Sequence, residues 1–237
     1  MSGHSKWSTI KRQKGAADAK KANVFTKLAN GITVAARHGS DPTMNFQLRL
    51  VMDRAGSANM PKENIERAVA RAASVADANA VSELVYEIYG PSGVAVLAEV
   101  ATDNKNRAAA DIKAVLNKFG GKLAGEGAVK FLFERKGTLS ISTGDKTQED
   151  AELAIIGSGA SDYEKVDGVL LAYTKPEELE LVKKNLETHN ISIDDAKLAW
   201  EPKQTVALDE EASAKVIKVL EALDSLDDVV SVASNLG

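Results

Sequence analysis

The residues best suited to chemistry crowd the beginning of the chain. Lys6, Lys11, Arg12, Lys14, Lys20, Lys21 and Lys27 share residues 1–40 with Arg37 and a single acid, Asp18, and His4 and Trp7 are interleaved among them. Cations on such a segment can each neutralise a phosphate and release its counterions, and an exposed indole offers a face for an unpaired base. The competing assignment has the charges solvating a tail and Trp7 covering the apolar side of the helices that follow. Residues 1–71 hold 13 Lys/Arg against 5 Asp/Glu, a balance of +8, whereas the rest of the chain holds 17 against 29, a balance of −12. The net charge of −4 therefore hides a basic end on an acidic body. Arg37, Arg49, Arg54, Arg67 and Arg71 carry the positive character onward, each also readable as a solvated helix-face residue, with Glu63 and Arg67 spaced as an i,i+4 pair. The expected nucleic-acid contacts are thus His4, Lys6, Trp7, Lys11, Arg12, Lys14, Lys20, Lys21, Lys27, Arg37, Arg49 and Arg54.

Enzymatic patterns are absent. No G-x-x-x-x-G-K-[ST], G-x-G-x-x-G, G-x-S-x-G or H-E-x-x-H occurs. The 0 cysteines exclude thiol nucleophiles, disulfides and zinc–thiolate sites, and His4, His38 and His189 fall in three separate segments. No catalytic residue, metal or cofactor is expected. Acid pairs such as Asp194–Asp195 and Asp227–Asp228 read as caps and turns. Gly120–Gly127 (GGKLAGEG) leads into a strand rather than a helix, so it reads as a tight connection rather than an anion cradle. Asp103–Arg107 reads as a turn and N-cap ahead of a helix, with a phosphate contact as the alternative. Lys11, Arg12 and Lys14 stand where a secretory leader would be apolar, and no stretch is long and apolar enough for a membrane span. A cytoplasmic protein is expected.

The elements that must position these residues follow from periodicity. Residues 1–22, with Gly3 and Gly15 and no apolar period, read as a basic mobile arm. From Asn23, a possible cap, Val24, Leu28, Ile32 and Ala35 recur at helical spacing. A second helix runs from about Met44 to Gly56 and a third opens at Pro61, giving a helical bundle over 23–78. Beyond it, strands are predicted at Leu84–Tyr89, Val94–Thr102, Ala128–Glu134, Thr138–Ser142, Tyr163–Val166, Val169–Tyr173, Ala196–Trp200, Thr205–Leu208 and Val229–Ala233. Helices are predicted at Asn106–Phe119, Gln148–Ile156, Pro176–Thr188 and Glu210–Leu223. The order reads as α+β multidomain: a three-helix bundle, then two split-βαβ, ferredoxin-like α/β domains, one nested in the other. The outer domain takes 79–136 and 203–237, pairing the strands at 94–102, 128–134, 205–208 and 229–233. The inner takes 137–202. A chain starting near Asn79 is expected to stay folded and to lose nucleic-acid binding.

Particular words go further. Gly3-His4-Ser5-Lys6-Trp7, Lys14-Gly15-Ala16, Phe25-Thr26-Lys27-Leu28 and Asn59-Met60-Pro61-Lys62-Glu63-Asn64-Ile65-Glu66-Arg67-Ala68 resemble the opening of the YebC/PmpR family. Tyr89-Gly90-Pro91, Thr102-Asp103-Asn104, Phe133-Glu134-Arg135-Lys136-Gly137 and Leu226-Asp227-Asp228-Val229 extend the resemblance over nearly the whole chain. It implies three domains, the first helical, and a regulator of gene expression. Bacterial members are described as DNA-binding transcriptional regulators. Others act on translation, as mitochondrial activators or by relieving stalled ribosomes. DNA, ribosomal RNA and the ribosome itself are therefore the expected partners, with a small-molecule sensor built on the α/β domains as a third reading. No helix-turn-helix with a clear recognition helix stands out, and a basic arm with one Trp suits folded RNA at least as well as a duplex groove.

Overall fold

The computed structural model describes residues 7, 21–73, 81–143, 146–166 and 168–237. The first apolar period builds α1 (Lys21–Ala36), which starts early enough to put Asn23 inside its first turn rather than at its cap. α2 spans Phe46–Ser57 and α3 spans Lys62–Ala73. Asn45 fastens α1 to α2. Its side-chain oxygen accepts from the Leu48 amide at 3.0 Å, capping α2, and its side-chain amide donates to the carbonyls of Ala35 (2.8 Å) and Gly39 (2.7 Å). Leu28, Ile32, Ala35, Leu48, Ala55, Met60, Ala68 and Ala72 bury the shared face. The alanines let α1 and α3 approach closely, so that the Thr33 hydroxyl lies 2.9 Å from the carbonyls of both Ala29 and Ala68.

Nine further elements alternate along β1 (Ser82–Tyr89), β2 (Ala95–Thr102), α4 (Lys105–Phe119), β3 (Lys122–Leu123) and β4 (Phe133–Ser142), then α5 (Gln148–Gly157), β5 (Asp162–Val166), β6 (Val169–Thr174) and α6 (Leu179–Thr188). β7 (Ser192–Pro202), α7 (Glu210–Asp224) and β8 (Val229–Ser234) complete the chain. Two four-stranded sheets result, in the orders β3-β1-β2-β8 and β5-β6-β4-β7. Three N-terminal helices are thus followed by two sheets with helices between, a mixed α+β architecture. By contact the chain divides into two compact units, Met1–Glu134 with Glu201–Gly237, and Arg135–Trp200.

In the first unit β1 and β2 form a hairpin with Ser82 opposite Thr102 and Tyr89 opposite Ala95. α4 then crosses over β1 to deliver β3 to its far side, a split β-α-β. Gly121 makes that return possible: its φ is 156°, and a Cβ there would lie 3.2 Å from the Tyr89 carbonyl and 2.9 Å from Leu116. One face of the sheet packs Ile88, Val96, Ala98 and Val100 against Ile112 and Leu116 of α4 and Val216, Val219, Leu220 and Leu223 of α7.

Three expected strands are corrected here. Ala128–Glu134 and Thr138–Ser142 are not separate: residues 130–132 form a short 3-10 turn, and one strand, β4, runs through the polar Arg135-Lys136-Gly137 stretch. Gly137 is no turn residue. It sits opposite Thr174 in the sheet, and a Cβ there would collide with the Thr174 hydroxyl and come within 2.8 Å of Leu179 Cβ, so glycine is what lets α6 start against the strand. Thr205–Leu208 supplies only a single parallel bridge, Val206 to Leu236. The first unit's sheet therefore recruits β1 and the short β3 where the periodicity had suggested 128–134 and 205–208. The second unit keeps the expected β-α-β-β-α-β order, with Leu139, Ile141, Ala151, Ile155, Leu170, Leu179, Val182 and Leu186 buried.

Candidate nucleic-acid interface

The basic residues of the helical region separate into those the fold consumes and those it displays. Arg71, exposed on α3, reaches across to α1, donating to the Asn30 side chain at 2.7 Å and the Thr33 hydroxyl at 3.2 Å. One turn earlier on α3, exposed Arg67 donates to Asn64 at 2.8 Å. The Glu63–Arg67 pair expected from spacing is not the one formed; the i,i+4 ion pair of α3 is Lys62–Glu66, at 3.6 Å. α1 and α3 run antiparallel here, since Asn30 meets Arg71 while Thr33 meets Ala68. Arg37 therefore lies one turn further along the same seam; it is exposed, and its guanidinium donates to the Val81 carbonyl. Arg37, Arg67 and Arg71 thus mark a polar, positively charged seam along α1 and α3.

Other expected contacts are occupied by structure. Lys27 points inward, its side chain 14% exposed, and binds the end of α7 through the Asp224 carbonyl and, at 3.5 Å, the Asp224 carboxylate. A cation at a helix C-terminus answers the carbonyls left open there. Half-buried Arg49 donates to the Pro42 carbonyl at 2.7 Å and lies over the Phe46 ring at 5.5 Å, holding the α1–α2 connection. Arg54, in the last turn of α2, is also half-buried.

The largest correction concerns Trp7. It is 4% exposed, packed in the core between the first sheet and α4 and α7, and its indole N–H donates to the Val232 carbonyl at 3.1 Å. An indole held this way has no free face for a base, and it covers the sheet rather than the bundle. His4, Lys6, Lys11, Arg12, Lys14 and Lys20 lie outside the described residues, as does the side chain of Lys21.

At the start of α4, Asn104 caps the helix by accepting from the Arg107 amide at 3.0 Å, so this loop is the turn and cap that its sequence suggested. The Arg107 guanidinium bridges Asp228 (3.0 Å) and Asp103 (2.9 Å), whose carboxylates hold its proton more tightly than usual. Among the described residues no group of three or more His, Asp or Glu is placed to hold a metal ion, and no helix is long and apolar enough to cross a membrane.

Two domain models match this chain. The TACO1/YebC N-terminal domain covers residues 5–75, and the TACO1/YebC second and third domain covers residues 81–236. The chain belongs to the TACO1/YebC family. Bacterial relatives agree from end to end. A protein of Dehalococcoides mccartyi is 43% identical over 99% of this chain and 94% of its own length. One from Rubrobacter xylanophilus is 44% identical over 99% and 95%. Both are named "probable transcriptional regulatory protein". A crystal structure of a conserved hypothetical protein from Aquifex aeolicus superposes with a TM-score of 0.87 at 41% identity, covering 93% of this chain and 91% of the other. Within this family, then, the basic seam belongs to the N-terminal domain, and the sheet that buries Trp7 belongs to the following ones.

Proposed function

We propose that this chain is a nucleic-acid-binding regulator of gene expression that catalyses no reaction, acts in the cytoplasm and grips DNA through its basic N-terminal region. The observation that carries the reading is the seam of Arg37, Arg67 and Arg71 in a region of balance +8, joined to a body of −12. An acidic body is repelled by a polyanion, so the basic region must present itself to the phosphates. The names of the relatives support regulation of transcription as the role. RNA was favoured by an exposed Trp7, and the burial of that residue removes the argument.

The test is anisotropy of a labelled random-sequence duplex against the full chain over a series of salt concentrations. Affinity should fall steeply with salt, and Arg37→Ala, Arg67→Ala and Arg71→Ala together should make the log–log slope shallower by roughly 2–3 units, near 0.9 per lost phosphate contact. An unchanged slope would remove the seam from the interface, and no binding at low salt would sink the function.

A further inference from the structure

Among five phenylalanines, four tyrosines and two tryptophans, only Tyr89 and Phe131 are exposed, at 44% and 63%. Both lie at the β3 edge of the first unit. Tyr89 ends β1 directly opposite Lys122 of β3, and its hydroxyl reaches the Ala128 carbonyl at 3.4 Å. Phe131 follows three residues later in the same loop. Exposed lysines lie on the neighbouring segments. Lys118 stands in the last turn of α4, Lys122 lies on β3 and Lys130 adjoins Phe131, while the Lys203 amide donates to the Leu132 carbonyl at 2.9 Å. Glu126 is the exposed acid of the loop, with half-buried Glu134 at its end.

The loop carrying Phe131 is built rather than slack. Glu87, buried at 5% exposure, accepts the backbone N–H groups of Gly127 (2.5 Å), Val129 (2.7 Å) and Lys130 (2.8 Å) through its carboxylate. Burying a carboxylate is costly unless it is fully hydrogen-bonded, and here the bonds hold one short segment in one shape. That shape turns Phe133 into the core and leaves Phe131 in water. Two solvent-facing aromatics on one loop and strand end, with exposed lysines on the same segments of an otherwise acidic body, match unstacked bases joined by phosphates.

We infer that the Tyr89–Phe131 edge is a second nucleic-acid site, which takes an unpaired stretch of a single strand by stacking bases on Phe131 and Tyr89 and pairing phosphates with Lys122, Lys130 and Lys203. The inference rests on the nucleic-acid function proposed above but uses a different surface and a different ligand form. A duplex keeps its bases stacked on one another, so this edge discriminates single strands from paired ones.

Fluorescein-labelled oligouridylate and oligothymidylate of 12 nucleotides, and a 24-base-pair duplex, are titrated against the full chain at one salt concentration. Phe131→Ala should weaken single-strand binding roughly tenfold, within the range of one lost base stack, and leave duplex binding unchanged. Phe131→Trp should retain single-strand binding and add an indole emission that the oligonucleotide quenches. With Phe131 exposed, the alanine variant should melt as the parent does, so loss of binding cannot be mistaken for unfolding. Single-strand binding unaltered in Phe131→Ala, or absent from the parent chain, overturns the site. If the parent binds the duplex in either case, the proposed function stands without it; if it binds neither, both fall.

Discussion

Trp7→Ala should cost stability, and the size of the loss follows from where the indole sits. At 4% exposure Trp7 fills a space between the sheet and α4 and α7, with Ile88, Val96, Leu220 and Val232 in the same core. Emptying such a space removes the transfer energy of the ring and leaves a cavity, together about 3–5 kcal/mol. The lost N–H donor leaves the Val232 carbonyl needing water, which adds about 1 kcal/mol where water cannot reach it. For a unit of this size each kcal/mol lowers the melting temperature by about 2–4 °C, so a loss of about 3–6 kcal/mol should make the variant melt roughly 6–24 °C below the parent. Trp7→Phe keeps most of the apolar volume and loses the donor, and should fall between. The assay is thermal unfolding followed by circular dichroism, with duplex binding measured on the folded fraction. The same logic bears on an expectation from the sequence: a chain starting near Asn79 lacks this indole and the Lys27–Asp224 contact, and should be destabilised by at least as much. A Trp7→Ala protein that melts with the parent while losing nucleic-acid affinity would refute the packing argument and restore Trp7 to the interface.

Lys27→Met should lower stability by about 1 kcal/mol, the worth of a partly buried cation at a helix end, while leaving the salt slope of DNA binding unchanged; denaturant titration and the slope together check it. Glu87 is held below the ordinary carboxylate value: burial opposes its charge, but the amides of Val129, Gly127 and Lys130 and the nearby Lys130 charge outweigh burial. Its contribution is therefore present above the unfolded carboxylate range and disappears as pH falls through the lower folded value. Glu87→Gln should cost about 1.5–3 kcal/mol near neutral pH, and the gap from the parent should narrow in acid; a constant gap would exclude the carboxylate as its source. Gly137→Ala should destabilise the second unit by about 1–3 kcal/mol, because its Cβ meets Thr174 and Leu179; a neutral effect in differential scanning calorimetry would contradict the packing of α6 on β4.

Local chemistry was readable wherever a residue's neighbours in sequence are also its neighbours in space. α2, α3, α4 and α7 announce themselves through apolar period and flanking turn residues, and β6 through its continuous apolar run. The charge contrast between residues 1–71 and the remainder needs only counting. The family resemblance needs only the order of the letters. Distant partners decided the rest. An indole suits an exposed base and a hydrophobic core equally well, and Trp7 became a core residue because Val232, 225 positions away, offers it a carbonyl beneath α4 and α7. Lys27 reads like every other lysine of a basic segment until α7 ends beside it, 197 positions on. Arg135-Lys136-Gly137 resembles a turn by composition, yet the close start of α6 makes its glycine a strand residue. Phe131 and Phe133 have the same side chain and near-identical surroundings in sequence. One is buried and the other exposed in a loop whose path is set just before them, where the Glu87 carboxylate gathers the amides of Gly127, Val129 and Lys130.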